Sequence, residues 1–309
     1  MSILQAFKAG IQRATKEPKT VLVLYVINLL AAIPLAMAWR AVLQSGLGGS
    51  LASSELMDGL DFTVWQDFTH SHGQELSAVT RQIPWVLLIF MIVNTFLAGG
   101  ILTTIRESRE KFSASAFFAG CGEYFLRFFR LFLILGVLLL VVASVVGAVV
   151  SGLGEALTEN ATSEVTEFWV RVVALIVFVL PLILIIMIAD YAKISVVLND
   201  ERKMFKSAWK ATKFVFRRLF KTFSLELLLV LVPVVLFAIY LWLDLSIGMT
   251  TGLTIIVMFI LQQLFLVSRA WTKVFFYAAE MTLYQGLRPV GVPATESAAQ
   301  QSGAGAASV

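Results

Sequence analysis

The sequence predicts an all-α polytopic membrane protein with six transmembrane helices, amphipathic cytoplasmic interfacial helices and three copies of a helix-plus-hairpin unit. Three observations predict it. Of the 309 residues, 59% are apolar and 14% charged, against about 45–50% and about 25% in soluble domains. Mean hydropathy is +0.86. Apolar runs recur at lengths near the roughly 20 residues that a helix needs to cross hydrocarbon, where unpaired backbone groups find no partner.

The first twenty residues carry Lys8, Arg13, Lys16, Glu17 and Lys19 without an apolar leader core or a small-residue cleavage pattern, and read as an uncleaved amino terminus. The expected spans are then Val21–Leu43, Ile83–Ile105, Leu131–Val150, Phe168–Leu198, Phe223–Ile247 and Thr251–Leu283. The fourth and sixth exceed the required length and must tilt, bend or project. Residues 44–82 form the one long outer loop, in which Leu56, Leu60, Val64 and Phe68 recur at helical spacing and predict a short helix on the outer surface. Residues 1–288 make a single transmembrane domain, and the Ala-, Ser-, Gly- and Gln-rich stretch 289–309 is expected to be a disordered cytoplasmic tail.

Orientation follows from the charges. With the amino terminus inside, all Lys and Arg except Arg40, Arg81 and Arg171 lie on the cytoplasmic side, as the positive-inside rule requires. Acidic residues divide evenly, so Glu55, Asp58, Asp61, Asp67, Glu75, Glu155, Glu159, Glu164 and Glu167 leave the outer side strongly acidic. The expected location is the bacterial inner membrane, multi-pass, with both termini cytoplasmic.

Self-comparison finds a short repeated pattern: Ala6-Phe7-Lys8-Ala9-Gly10, Ala116-Phe117-Phe118-Ala119-Gly120 and Ala208-Trp209-Lys210-Ala211-Thr212, each before an outward-going span. Lys19-Thr20 and Lys221-Thr222 stand at the same offset from the first and third copies, and Tyr191-Ala192-Lys193-Ile194 echoes Trp271-Thr272-Lys273-Val274. In the third copy Lys206, Lys210, Lys213, Arg217 and Lys221 follow one helical face. Phe205, Ala208, Trp209, Thr212, Phe216, Leu219 and Phe220 form much of the other. This predicts an interfacial helix with a cationic rim, suited to anionic phospholipid headgroups, where each Lys or Arg adds about 1 kcal/mol. The plainer reading is topology alone, with lipid as solvent. The first copy sets Ile3, Leu4, Phe7, Ile11 and Ala14 against Lys8, Gln12 and Lys16; the second, with Gly120 and Gly122, is expected to dip deeper or break.

Charges within spans mark candidate sites, because burial in hydrocarbon is costly. Asp190, Lys193, Arg269 and Lys273 fall near the inner headgroup level and form an expected intramembrane charge cluster, with Glu226 and Glu280 as possible additions. Inter-helix pairing, headgroup contact and ion or proton coupling all fit such a set. Asn28, Asn94, Gln262 and Gln263 read as inter-helix hydrogen bonders, Gly99-Gly100 as a close-packing device, and Pro34, Pro181 and Pro233 as kinks.

No phosphate loop, dinucleotide fingerprint, zincin motif or cysteine pair is present. Cys121 has no histidine on its side of the membrane, and His70 and His72 with Asp67 and Glu75 read as a solvated polar loop rather than a metal site. No cofactor, metal or nucleic-acid partner is expected.

Three stretches carry a family resemblance: Leu97-Ala98-Gly99-Gly100-Ile101 closing the second span, Lys111-Phe112-Ser113 leading to Tyr124-Phe125-Leu126-Arg127-Phe128-Phe129, and Val197-Leu198-Asn199-Asp200-Glu201-Arg202 before the basic helix. In this order the chain resembles poorly characterised six-helix bacterial membrane proteins allied to the membrane domain of glycerophosphoryl diester phosphodiesterases. The resemblance implies the fold and membrane-lipid association. It supplies no catalytic residues, since no segment here is long enough to be the soluble phosphodiesterase domain. The expected function is non-catalytic binding or translocation of an amphipathic substrate, foremost an anionic phospholipid; a scaffold recruiting membrane or periplasmic proteins is the alternative, and a lipid-acting enzyme the third.

Overall fold

In the computed structural model, residues 1–48, 62–107, 112–158, 163–248 and 251–287 are described, and they form ten helices with no strand among them. These are α1 (Ile3–Lys16), α2 (Pro18–Leu47), α3 (Phe62–Ser71), α4 (Gly73–Thr80), α5 (Ile83–Glu107), α6 (Ala114–Thr158), α7 (Glu164–Asn199), α8 (Met204–Arg217), α9 (Leu219–Ser246) and α10 (Gly252–Leu287). Six helical segments are long and apolar enough to cross a membrane: 18–47, 73–107, 114–157, 165–199, 219–246 and 252–287. The chain is an all-α, multi-pass membrane protein.

Local chemistry sets the boundaries. Ser2 and Gln5 close a reciprocal capping box at the start of α1. Pro18 occupies the first turn of α2, where its missing N–H costs nothing. Pro34, Pro181 and Pro233 lie inside α2, α7 and α9, which continue through them. Asp200 ends α7 in the left-handed region at φ 47°, and Arg218 separates α8 from α9.

Three expectations change. The second amphipathic segment is neither broken nor separate: α6 runs unbroken from Ala114 to Thr158, carrying Gly120 and Gly122 on opposite sides, one buried and one exposed. The His70–His72 run is a helix end rather than a long loop, His70 lying in α3 and His72 forming the turn before α4, with His72 stacked on Phe68 and Phe68 buried beside Val42 and Val79. Leu219, Phe220 and Lys221 belong to α9, not to the basic helix before it. Leu56, Leu60 and the stretch 289–309 lie outside the described residues.

The buried core occupies one end of the bundle, the end carrying most of the basic residues and hereafter the basic end. It joins α1, the first turns of α2, α6 and α9, the last turns of α5, α7 and α10, and α8. Small residues bring these helices together, as in other membrane helix seams. A Cβ on Gly10 would stand 2.7 Å from Ala279 Cβ on α10, one on Gly99 2.7 Å from the Gly120 carbonyl, and one on Gly100 2.6 Å from Cys121 Sγ. Toward the other end the spans expose Leu140, Leu175, Trp242 and Leu253, surface that hydrocarbon would solvate.

Candidate functional site

A partly open cavity of about 580 Å³ lies between α2, α5, α7, α9 and α10. Leu29, Ala32, Phe90, Leu266 and Phe276 give it apolar walls, and Pro233 of α9 contributes to its lining. Its polar groups are Tyr25, Asn28, Asn94, Asp190, Arg269, Thr272, Lys273 and Tyr277. A few placed polar groups in an apolar concavity of this size are the usual makings of a ligand site.

The predicted four-residue charge cluster is resolved into two arrangements. Lys193 Nζ pairs with Asp190 Oδ1 one turn back on α7 at 2.8 Å and donates to the Tyr277 hydroxyl at 3.3 Å, its amine 5.8 Å from that ring's centroid. The Lys193 charge is therefore compensated within the protein. Lys273 donates instead to the neutral side-chain carbonyl of Asn94, whose Nδ2 is held by the Phe90 carbonyl at 2.7 Å. Arg269, one turn from Lys273 on α10, is exposed and lines the cavity; none of the ion pairs among the described residues involves it. A guanidinium stays charged at any physiological pH.

Arg269 also borders a second pocket of about 180 Å³, which shares Pro233 and Thr272 with the first and is completed by Leu236, Phe237, Phe265 and Ser268. A charged donor thus stands where a polar chamber meets an aromatic-walled one. Asn28 Oδ1 is buried beside the larger cavity with no hydrogen-bond donor among the described residues. Tyr25 is fixed by donating to Gln263 Oε1 at 2.7 Å.

Glu226 and Glu280 do not join the Asp190–Lys193 pair. Their carboxyls neighbour each other within interaction range, Glu280 1% and Glu226 7% exposed, and both Glu280 oxygens are buried with no hydrogen-bond partner among the described residues.

The basic helix α8 carries three stripes rather than two faces. Met204, Ser207, Ala208, Ala211 and Val215 are buried against the bundle, Ser207 Oγ donating to the Ala192 carbonyl at 3.3 Å. Phe205, Trp209 and Phe216 stand exposed about 100° around the helix, with Phe220 continuing the row on α9. Lys206, Lys210, Lys213 and Arg217 form the third stripe, exposed, with Lys221 beyond it on α9. The expected apolar face is therefore divided: the small residues meet protein and the aromatics meet the surroundings. Lys210 is partly spent on Glu201, at 2.5 Å.

Two groups near this end titrate away from their ordinary values. The hydrogen bond and charge of Arg127 hold the Asp200 carboxyl below the usual carboxylate range. Burial raises Glu17, opposed by its hydrogen bond from Thr20.

Sequence reasoning located Asp190, Arg269 and Lys273 and read Asn94 as an inter-helix hydrogen bonder, which it is, but it missed the roles of Tyr25 and Tyr277. A signal for the last existed: Lys273, Tyr277, Glu280 and Tyr284 recur at three- and four-residue steps along α10. At the other end, Ser45 reaches Glu75 at 3.0 Å, and no three His, Cys, Asp or Glu side chains converge among the described residues.

The chain matches no family model, no curated protein and no solved structure.

Proposed function

We propose that this protein is a non-catalytic bacterial inner-membrane protein that binds, and helps to move, a phospholipid with an anionic headgroup. The observation that carries the reading is Arg269: a permanent cation on the wall of a membrane-level cavity, outside every ion pair among the described residues, with Lys273 one turn away. A phosphate or carboxylate headgroup supplies the missing charge, and Arg offers it a two-pronged donor. The adjoining pocket walled by Leu236, Phe237 and Phe265 suits an acyl segment.

The wider surface fits the same reading. With α8 on the cytoplasmic side, its aromatic stripe sits at the headgroup boundary and its cationic stripe meets anionic lipid. The three segments of shared pattern each pack on an inward-returning span, α1 on α10, the start of α6 on α5, and α8 on α7, which supports three copies of one helix-plus-hairpin unit. The resemblance to the membrane domain beside glycerophosphoryl diester phosphodiesterases points to lipid as well. A solid bundle would have favoured a scaffold; a cavity with an uncompensated cation favours a ligand.

Native mass spectrometry of the protein extracted gently from its membrane tests this. Wild type is expected to retain an anionic phospholipid, and Arg269→Gln to lose it while retaining the fold by circular dichroism. Absence of anionic lipid from wild type, or equal retention by Arg269→Gln and Arg269→Gln/Lys273→Gln, would sink the proposal.

A further inference from the structure

We propose that Glu226 and Glu280 form a buried proton-binding site, one proton shared between two carboxyl groups. Both lie in the core at the basic end of the bundle, on α9 and α10. Neither Glu280 oxygen finds a donor among the described residues. The group neighbouring it is the Glu226 carboxyl, an acceptor on both oxygens unless it carries a proton. Two bare carboxylates in contact, cut off from water, would add mutual repulsion to the cost of burial, and a shared proton removes both penalties.

The titratable neighbours of the pair lie on α7 and α10. From α7 the pair faces Asp190, Tyr191 and Lys193; Asp190 adds negative charge, and Lys193 is already bound to Asp190 at 2.8 Å. From α10 comes Tyr277, whose hydroxyl receives the Lys193 hydrogen bond. Two residues beyond Glu280 on α10, the Thr282 hydroxyl accepts from Arg13 of α1 at 3.1 Å. No ion pair among the described residues includes Glu226 or Glu280.

A second, separate observation marks the same place. Tyr191 is 1% exposed, and its hydroxyl is buried with no partner among the described residues, within electrostatic range of both carboxyls. Its ring packs against Phe214 and Tyr284, which fixes the side chain in place. A buried hydroxyl without a partner is costly. It becomes useful when the adjacent pair changes protonation state and needs a donor. The site lies next to the Asp190–Lys193 pair at the cavity, so a proton gained or lost there is felt at the cavity wall. The inference does not rest on what occupies that cavity.

Infrared spectroscopy of the full-length protein in dodecyl maltoside, which has no carbonyl, tests it. At neutral pH the wild-type spectrum is expected to contain a protonated-carboxyl C=O band that moves when glutamate carboxyls are labelled with carbon-13. Glu226→Gln and Glu280→Gln are each expected to remove one carboxyl's worth of that band, with no further loss in the double variant, because the amide N–H then serves the remaining carboxylate. A wild-type protein with no such band, or with one unmoved by the label, overturns the proposal without any variant needing to fold. A band equally strong in both Gln variants overturns it too.

Discussion

Lys273 on α10 donates to the side-chain carbonyl of Asn94 on α5, joining two helices through a charged group and a neutral amide. The amide is pre-set, because its other end is tied to the Phe90 carbonyl at 2.7 Å. Asn94→Leu strands the amine and is expected to cost about 1–3 kcal/mol. Adding Lys273→Met should recover most of that loss, since removing both partners leaves nothing unpaired. Reversible unfolding in mixed micelles measures the cycle; additive losses would show that the two side chains do not interact.

The glycines of the basic end separate into tight and free positions. At Gly10 an added methyl meets Ala279 Cβ at 2.7 Å and Ala279 backbone at 3.0 Å, so α1 must move off α10. Gly10→Ala is expected to destabilise by about 1–3 kcal/mol. Gly122, inside α6, has nothing within 4 Å of an added Cβ. Gly122→Ala should be neutral or stabilising by up to about 1 kcal/mol, through helix propensity alone. Thermal unfolding of the two variants side by side checks the contrast.

Much of this architecture was legible in the sequence because it depends on one-dimensional quantities. Six runs such as Phe223–Ile247 are too long and too apolar for a soluble domain, and the α8 lysines advance at helical steps whatever they touch. What those steps could not reveal was which apolar residues meet protein. Ala208 and Trp209 both count as apolar, yet one is 8% and the other 68% exposed, because only the small side chain permits close approach to α7. The charge cluster was found by depth along the spans, but its division was not. Lys193 chooses Asp190 within its own helix, whereas Lys273 meets Asn94, 179 positions away, and no local pattern encodes that pairing.

Asp200 and Glu17 give opposite pH dependences. Asp200 is held below its ordinary range by Arg127, so its contribution is present above the unfolded-state value and lost as pH falls through the folded one. Its side chain is 61% exposed, so Asp200→Asn should cost well under about 1 kcal/mol and flatten the acid limb of the stability curve. Glu17 is raised by burial, so the folded state favours its protonated form and stability falls as pH rises from the unfolded-state value through the folded one. Glu17→Gln should abolish that fall, and unfolding midpoints across an acidic-to-neutral pH series separate the two effects.

The cationic stripe of α8 should act unevenly. Lys206, Lys213 and Arg217 are exposed and belong to no ion pair among the described residues, whereas Lys210 is bound to Glu201. At about 1 kcal/mol for each cation near an anionic surface, each of the first three changed to Gln should lower the preference for anionic over zwitterionic lipid by about fivefold. Lys210→Gln should change it less, because that amine already has a counter-charge. The measurement is the ratio of the two lipid classes retained after extraction from mixed membranes, counted by mass spectrometry. The stripe variants should shift this ratio gradually across many weakly held lipids, while Arg269→Gln should remove one tightly held lipid and leave the ratio among the rest unchanged. Equal effects from Lys210→Gln and Lys213→Gln would mean that the stripe acts through general charge alone, not through the individual contacts that leave Lys213 free.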